Sequence, residues 1–200
     1  MIGTKILAER KSKFNGNLRV IRSLGLGTYI QSDGLTQSGG VVEGIWKRTL
    51  KRIRNSKFEI QNCLILGLGG GTVAKLLRKY WPKAKITGID IDSEIVDLGN
   101  KYLGLGEVDL DIKIQDAGQE ILGSFDLTVV DLYNGDRFPS KFETKKFLSC
   151  LTDSKIVVFN RLFYKDKRGP AMEFGEKLKK IFRNVEYYYP GVNVMFICSN

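Results

Sequence analysis

The chain contains no histidine. That absence excludes Ser-His-Asp and Cys-His nucleophilic chemistry and most zinc sites, which depend on an imidazole. Cysteine is scarce as well. Cys63, Cys150 and Cys198 are odd in number and sit beside apolar residues, the pattern of buried free thiols in a reducing compartment. No apolar run approaches the roughly 20 residues that a membrane helix needs. The first ten residues carry no signal-peptide pattern, so a cytoplasmic protein without a membrane partner is expected. The 200 residues leave room for one sizeable core and an appendage, not for two full domains.

Positive charge is what the chain has in excess. Its net charge is +10, and residues 1–60 hold 12 Lys/Arg against 4 Asp/Glu, a net of +8. In 41–55 the apolar Val41, Val42, Ile45, Trp46, Leu50 and Ile53 recur at helical spacing. Lys47, Arg48, Lys51, Arg52 and Arg54 fill much of the rest, giving an amphipathic helix with a basic face. A solvated face is the favoured reading. Contact with nucleic acid through this helix is the alternative.

Two regions differ in pattern. Residues 1–60 read as a basic arm (1–16), a β-hairpin around Gly25-Leu26-Gly27 that ends at Asp33-Gly34, and the helix. Residues 61–200 alternate strand and helix and read as the catalytic domain. Strands are expected at 63–66, 86–89, 112–114, 125–130 and 155–159, helices at 72–80, 93–103 and 171–182, and a closing hairpin over 185–197. Such alternation implies a mostly parallel sheet with helices on both faces. Ligands then bind beyond the carboxyl ends of the strands, where this chain carries Gly67, Asp90, Asp116 and Asp131.

The chemistry centres on Gly67-Leu68-Gly69-Gly70-Gly71, between an apolar strand and a helix. Gly67, Gly69 and Gly71 allow a tight turn and close approach of a ligand to the backbone, and the helix offers its free N–H groups. Asp90 follows 23 residues after Gly67, where an acid can accept from both ribose hydroxyls. Thr72 stands where a dinucleotide fingerprint wants a third glycine, which counts against a nicotinamide cofactor. Asp116, followed by Ala117, can accept from an adenine amino group.

Taken together, these motifs resemble the spermidine synthase-like proteins, a branch of the S-adenosylmethionine-dependent methyltransferase fold, over about residues 17–198. The carriers are 28–38, ending in Gln37-Ser38, the glycine loop, Ile89-Asp90-Ile91-Asp92, Asp116-Ala117 and Val129-Val130-Asp131. The resemblance implies a Rossmann-like class I methyltransferase fold, with seven strands, the last antiparallel, after a small N-terminal hairpin and helix. It implies S-adenosylmethionine or its decarboxylated form as cofactor and no metal. It adds Gln37 to the cofactor contacts and makes Asp131 the catalytic base, with Tyr133 and Asn134 shaping the acceptor pocket.

Three departures from the family bear on the reaction. Gly70 stands where spermidine synthases usually carry an Asp that pairs with the cofactor amine. Asp131-Leu132-Tyr133-Asn134-Gly135 keeps only the first acid of the family's Asp-x-x-Asp-Pro. Val41-Val42-Glu43 replaces a tyrosine expected after Gln37-Ser38. A local acidic cleft of Asp90, Asp92, Asp131 and Asp136 is still expected. On these grounds methyl or related alkyl transfer ranks ahead of aminopropyl transfer (polyamine synthesis). The expected partner is a small-molecule acceptor, an amine among the candidates, and a homodimer is compatible. A third reading is a nucleic-acid-binding module with a vestigial pocket. The Asn-Pro-Pro-Tyr type motif of base-amino methyltransferases is absent.

Overall fold

A computed structural model describes residues 3–56, 58–119 and 123–200. Two sheets are present. The N-terminal one is a four-stranded antiparallel meander of β1 (Thr4–Ser12), β2 (Gly16–Ser23), β3 (Gly27–Ser32) and β4 (Leu35–Gly39). The described part of the arm expected at 1–16 is therefore a strand and a turn. β1 pairs with β2 from Thr4 to Ser12 while most of its side chains stay in solvent, so no alternation of apolar residues announces it. β4 was also unforeseen; it follows the expected stop at Asp33-Gly34, which is a tight turn inside the meander.

α1 (Gly40–Asn55) leads to the larger sheet and buries Ile45, Trp46, Leu50 and Ile53. Arg52 ion-pairs with Glu186, and Arg54 lies over the Tyr80 ring, so part of the basic face has partners within the chain. The seven strands are β5 (Asn62–Leu66), β6 (Lys85–Asp90), β7 (Asp111–Ile114), β8 (Leu127–Val130), β9 (Ile156–Leu162), β10 (Asn184–Tyr188) and β11 (Asn193–Ser199). Their order is β10-β11-β9-β8-β5-β6-β7, and only β11 runs antiparallel to the rest. The α/β fold class and the antiparallel last strand are as expected.

Side chains of β5 alternate between two cores. Cys63 and Ile65 join the side that holds α1, α2 (Thr72–Tyr80) and α3 (Ser93–Tyr102). Leu64 and Leu66 join the other, with Phe159, Phe196 and the helices α4 (Lys145–Ser149) and α5 (Arg168–Lys179). Phe174 of α5 meets Phe159 at 5.4 Å between ring centroids, edge to face. β9 runs three residues past its expected end at 159 because Asn160 and Arg161 are buried with partners. Arg161 donates to Glu143 at 2.9 Å and stacks on Phe138 and Phe174. Cys63 and Cys198 are buried, whereas Cys150 is exposed at the end of α4, contrary to expectation. Cys150 lies on the outer side of a short helix that the sequence pattern did not reveal.

Candidate active site

The carboxyl ends of β5 and β8 touch. Gly67 has φ 90°, and a Cβ there would lie 2.2 Å from the carbonyl oxygen of Asp131. Only glycine permits both that backbone conformation and that approach. The loop then turns back onto β6, where Gly69 N donates to Asp90 Oδ2 at 2.6 Å and Asp92 N donates to Oδ1 at 2.9 Å. Burial raises the Asp90 carboxyl above its ordinary value, and these donations oppose the rise. Each carboxylate oxygen keeps one further acceptor position.

A cavity of about 310 Å3 lies over these strand ends, within the range of small-ligand sites. It brings together Gly67, Gly69, Asp90, Asp116, Ala117, Gln37, Asp131, Tyr133 and Asn134. Gly71 is not on its wall; a Cβ at Gly71 would meet Leu105 at 2.5 Å, so this glycine lets α2 start against the core. Gln37 Nε2 donates to the carbonyl of Gly135 at 3.3 Å, which ties the end of the meander to the loop after β8.

Asp131 is perturbed by burial as Asp90 is. Trp46 Nε1 donates to its Oδ2 at 2.9 Å and Asn160 Nδ2 to its Oδ1 at 2.8 Å. Burial raises its pKa to about 6, against the pull of those two donors. Asn160 in turn accepts from Asn193 Nδ2 at 2.7 Å. The Tyr133 hydroxyl accepts from Leu162 N at 2.8 Å, and burial raises its pKa. Asp131 is thus a carboxylate of near-neutral pKa, held in one orientation from both sides, as a general base requires.

Asp116 is engaged differently. Lys141 donates to it and Gly118 N donates to Oδ1 at 2.7 Å, and the Lys141 contact is the main cause that holds this carboxyl below its ordinary value. Of the four acids expected in the cleft, two are elsewhere. Asp92 is buried, caps α3, and accepts from Ser12 Oγ at 2.5 Å and Asn15 Nδ2 at 2.6 Å. Asp136 pairs with Lys167 at 2.6 Å on the outside. Asp92 instead docks the β1–β2 turn, which places Phe14 and Asn15 on the cleft wall.

The departure at Gly70 also takes a different meaning. A Cβ at Gly70 would come 2.8 Å from both Ile30 Cδ1 and Leu103 Cδ1, and 3.0 Å from Ser38 Cβ. Its side-chain direction runs into the ends of two core side chains, which would have to shift to admit an acid. Gly70→Asp is expected to destabilise the fold by about 1–3 kcal/mol, through overpacking against Ile30 and Leu103. Urea unfolding would check this; a change below about 1 kcal/mol would show that the side chain finds the cleft instead.

Sequence reasoning missed Phe14, Asn15, Trp46, Asn160 and Lys141. Trp46 had one signal: a tryptophan on the buried face of a helix must still place its N–H.

Strand order, glycine loop and acidic strand ends together give a class I methyltransferase-type sheet with an acidic cleft over its carboxyl edge. No family model matches the chain. It is 29% identical over 131 residues to a probable polyamine aminopropyl transferase of Bifidobacterium longum, covering 62% of this chain and 29% of that relative's length. It is 25% identical to a spermine synthase of Saccharomyces cerevisiae, over 98% of this chain and 74% of the relative. Its fold is similar to that of a probable spermidine synthase from Corynebacterium glutamicum, with TM-score 0.79 and 17% identity, over 98% of this chain and 80% of that one. The chain is thus similar to polyamine aminopropyl transferases and spermine synthase in sequence and to spermidine synthases in fold, the resemblance its motifs implied.

Proposed function

We propose that this protein transfers the aminopropyl group of decarboxylated S-adenosylmethionine to an amine. The observation that carries the proposal is the charge of the cleft. Its walls hold three carboxylates, Asp90, Asp116 and Asp131, and one cation, Lys141, which already pairs with Asp116. Ordinary S-adenosylmethionine would bring a carboxylate that no free cation among the described wall residues meets. The decarboxylated form brings a sulfonium and an ammonium, and a net-negative cleft favours both. The names of the relatives point the same way, and they give no support to the ranking of methyl transfer first.

The residues fit a nucleoside. Asp90 has acceptor positions for ribose hydroxyls, and Leu68, Ile91, Ala117 and Phe142 offer an apolar slot for a base, with Asp116 beside them. When bound, the cosubstrate supplies its own activation through the sulfonium. The chain's part is to align the amine and to receive its proton, the role of Asp131.

Decarboxylated S-adenosylmethionine and methylthioadenosine are expected to raise the melting temperature, and NAD is not. At a hundredfold excess over Kd the stabilisation is about 2.7 kcal/mol. Stabilisation by NAD and not by the adenosyl compounds would overturn the assignment.

A further inference from the structure

We infer that Asn193 is a positioning residue that fixes the Asn160 amide and, through it, the direction in which Asp131 accepts a proton; its effect on rate rests on the aminopropyl-transfer reading above. An ionised carboxylate only accepts hydrogen bonds, so Asn160 must turn its amide nitrogen towards Asp131. It does so at 2.8 Å from Oδ1. The Asn160 oxygen then faces away and needs a donor of its own, which Asn193 Nδ2 supplies at 2.7 Å. Both amides are buried, with 7% and 4% exposure, so bulk water is a poor substitute for either partner. The register explains the contact. Asn160 of β9 pairs with Met195 of β11, which makes Asn193 its diagonal neighbour on the same face. The backbone there is anchored separately, since the Tyr133 hydroxyl accepts from Leu162 N and donates to the carbonyl of Asn160.

An amide side chain has two orientations of nearly equal shape, half a turn apart. The donor on Asn193 selects between them. The flipped Asn160 amide would set its oxygen against the carboxylate and its nitrogen against the Asn193 nitrogen. Trp46 holds the other carboxylate oxygen, Oδ2, and would be left as the one donor. In the reaction, the amine lone pair forms the N–C bond to the carbon beside the sulfonium, and the C–S electron pair leaves on sulfur. The proton of the new ammonium passes to Asp131 and then to water. A loosened carboxylate therefore acts on rate more than on binding. Among the described residues, Asp90 faces Asp131 as a like charge, and Tyr133 stays neutral because burial raises its pKa. The Asn160 donation lowers the Asp131 pKa against burial, so weakening it moves the titration up from about 6.

The test is Asn193→Leu, close in size and without an amide. With decarboxylated S-adenosylmethionine and putrescine (1,4-diaminobutane), kcat is expected to fall about 10- to 100-fold, while the amine KM stays within about twofold. In an Asn160→Ala background the same substitution should change kcat by less than about twofold, because the route through Asn160 is gone. Asn193→Ser keeps a hydroxyl donor without added bulk and should retain part of the rate. Trp46 gives a readout that needs no turnover. In a Trp81→Phe background it is the one tryptophan of the chain, and its fluorescence should titrate with Asp131 near 6. Asn193→Leu should raise that midpoint by about half a pH unit or more. Asn193 also lines the second cavity, of about 200 Å3, that adjoins the cleft at Asp131. A raised amine KM at unchanged kcat, or equal losses with and without Asn160, would make it an acceptor contact and overturn the inference. Wild-type kcat with an unmoved midpoint in Asn193→Leu would do the same. A shifted midpoint in a protein that turns over no amine would sink the transfer reading and leave the relay standing.

Discussion

Asp131→Asn is expected to lower kcat/KM for aminopropyl transfer by about 100- to 10,000-fold, the usual worth of a positioned general base. In the wild type the rate should rise with pH through about 6, where Asp131 loses its proton, and the variant should lack that limb. Stability behaves differently. The folded carboxyl titrates near 6 instead of 3.8, so its contribution to folding is fully present below the unfolded value and is lost as pH rises through 6. At neutral pH the native carboxylate therefore costs up to about 3 kcal/mol. Asn removes that cost, but it has one oxygen for the two donors, Trp46 and Asn160, and its own N–H groups face one of them. These effects oppose each other, so Tm should move little while activity collapses. Pre-steady-state rates from pH 5 to 8 with parallel melting curves would show the split. A variant with equal activity would remove Asp131 from the chemistry.

Asp90→Ala should weaken methylthioadenosine by about 100- to 10,000-fold, the loss of two charge-assisted hydrogen bonds from ribose hydroxyls. The structure adds a second consequence that the sequence did not suggest. Asp90 also accepts from Gly69 N and Asp92 N, so its removal strands two backbone donors at the glycine loop and lowers Tm. Asp90→Asn keeps one oxygen as acceptor and should lose less stability than Ala while still losing affinity. Calorimetry that gave wild-type affinity in both variants would take Asp90 out of the ribose site.

The parallel sheet was legible because its strands are short β-prone runs, several of them closed by Gly or Asp, and its helices start at plain signals such as Asp92. Most of the cleft was legible too, since strand ends in such a sheet converge by topology. What stayed hidden is held by long-range polar contacts that have no local period. The β1 strand buries little, and its link to the cleft runs through Ser12, Asn15 and Asp92, some 80 positions apart in the chain. Asn160 looked like the end of a strand because a buried amide reads as polar until its partners, Asp131 and Asn193, are known. Gly70 looked like a lost acid, and only the packing shows that a side chain there would press on Ile30 and Leu103. The pairings of Asp116 with Lys141 and of Asp136 with Lys167 likewise change the cleft's charge in a way that composition alone does not reveal.

The most direct test offers the protein equimolar S-adenosylmethionine and decarboxylated S-adenosylmethionine with n-butylamine and putrescine, and identifies the nucleoside product by mass spectrometry. Aminopropyl transfer predicts methylthioadenosine, with the added mass of one aminopropyl group on an amine, and loss of both products in Asp131→Asn. S-adenosylhomocysteine, with a methylated amine, would contradict the account.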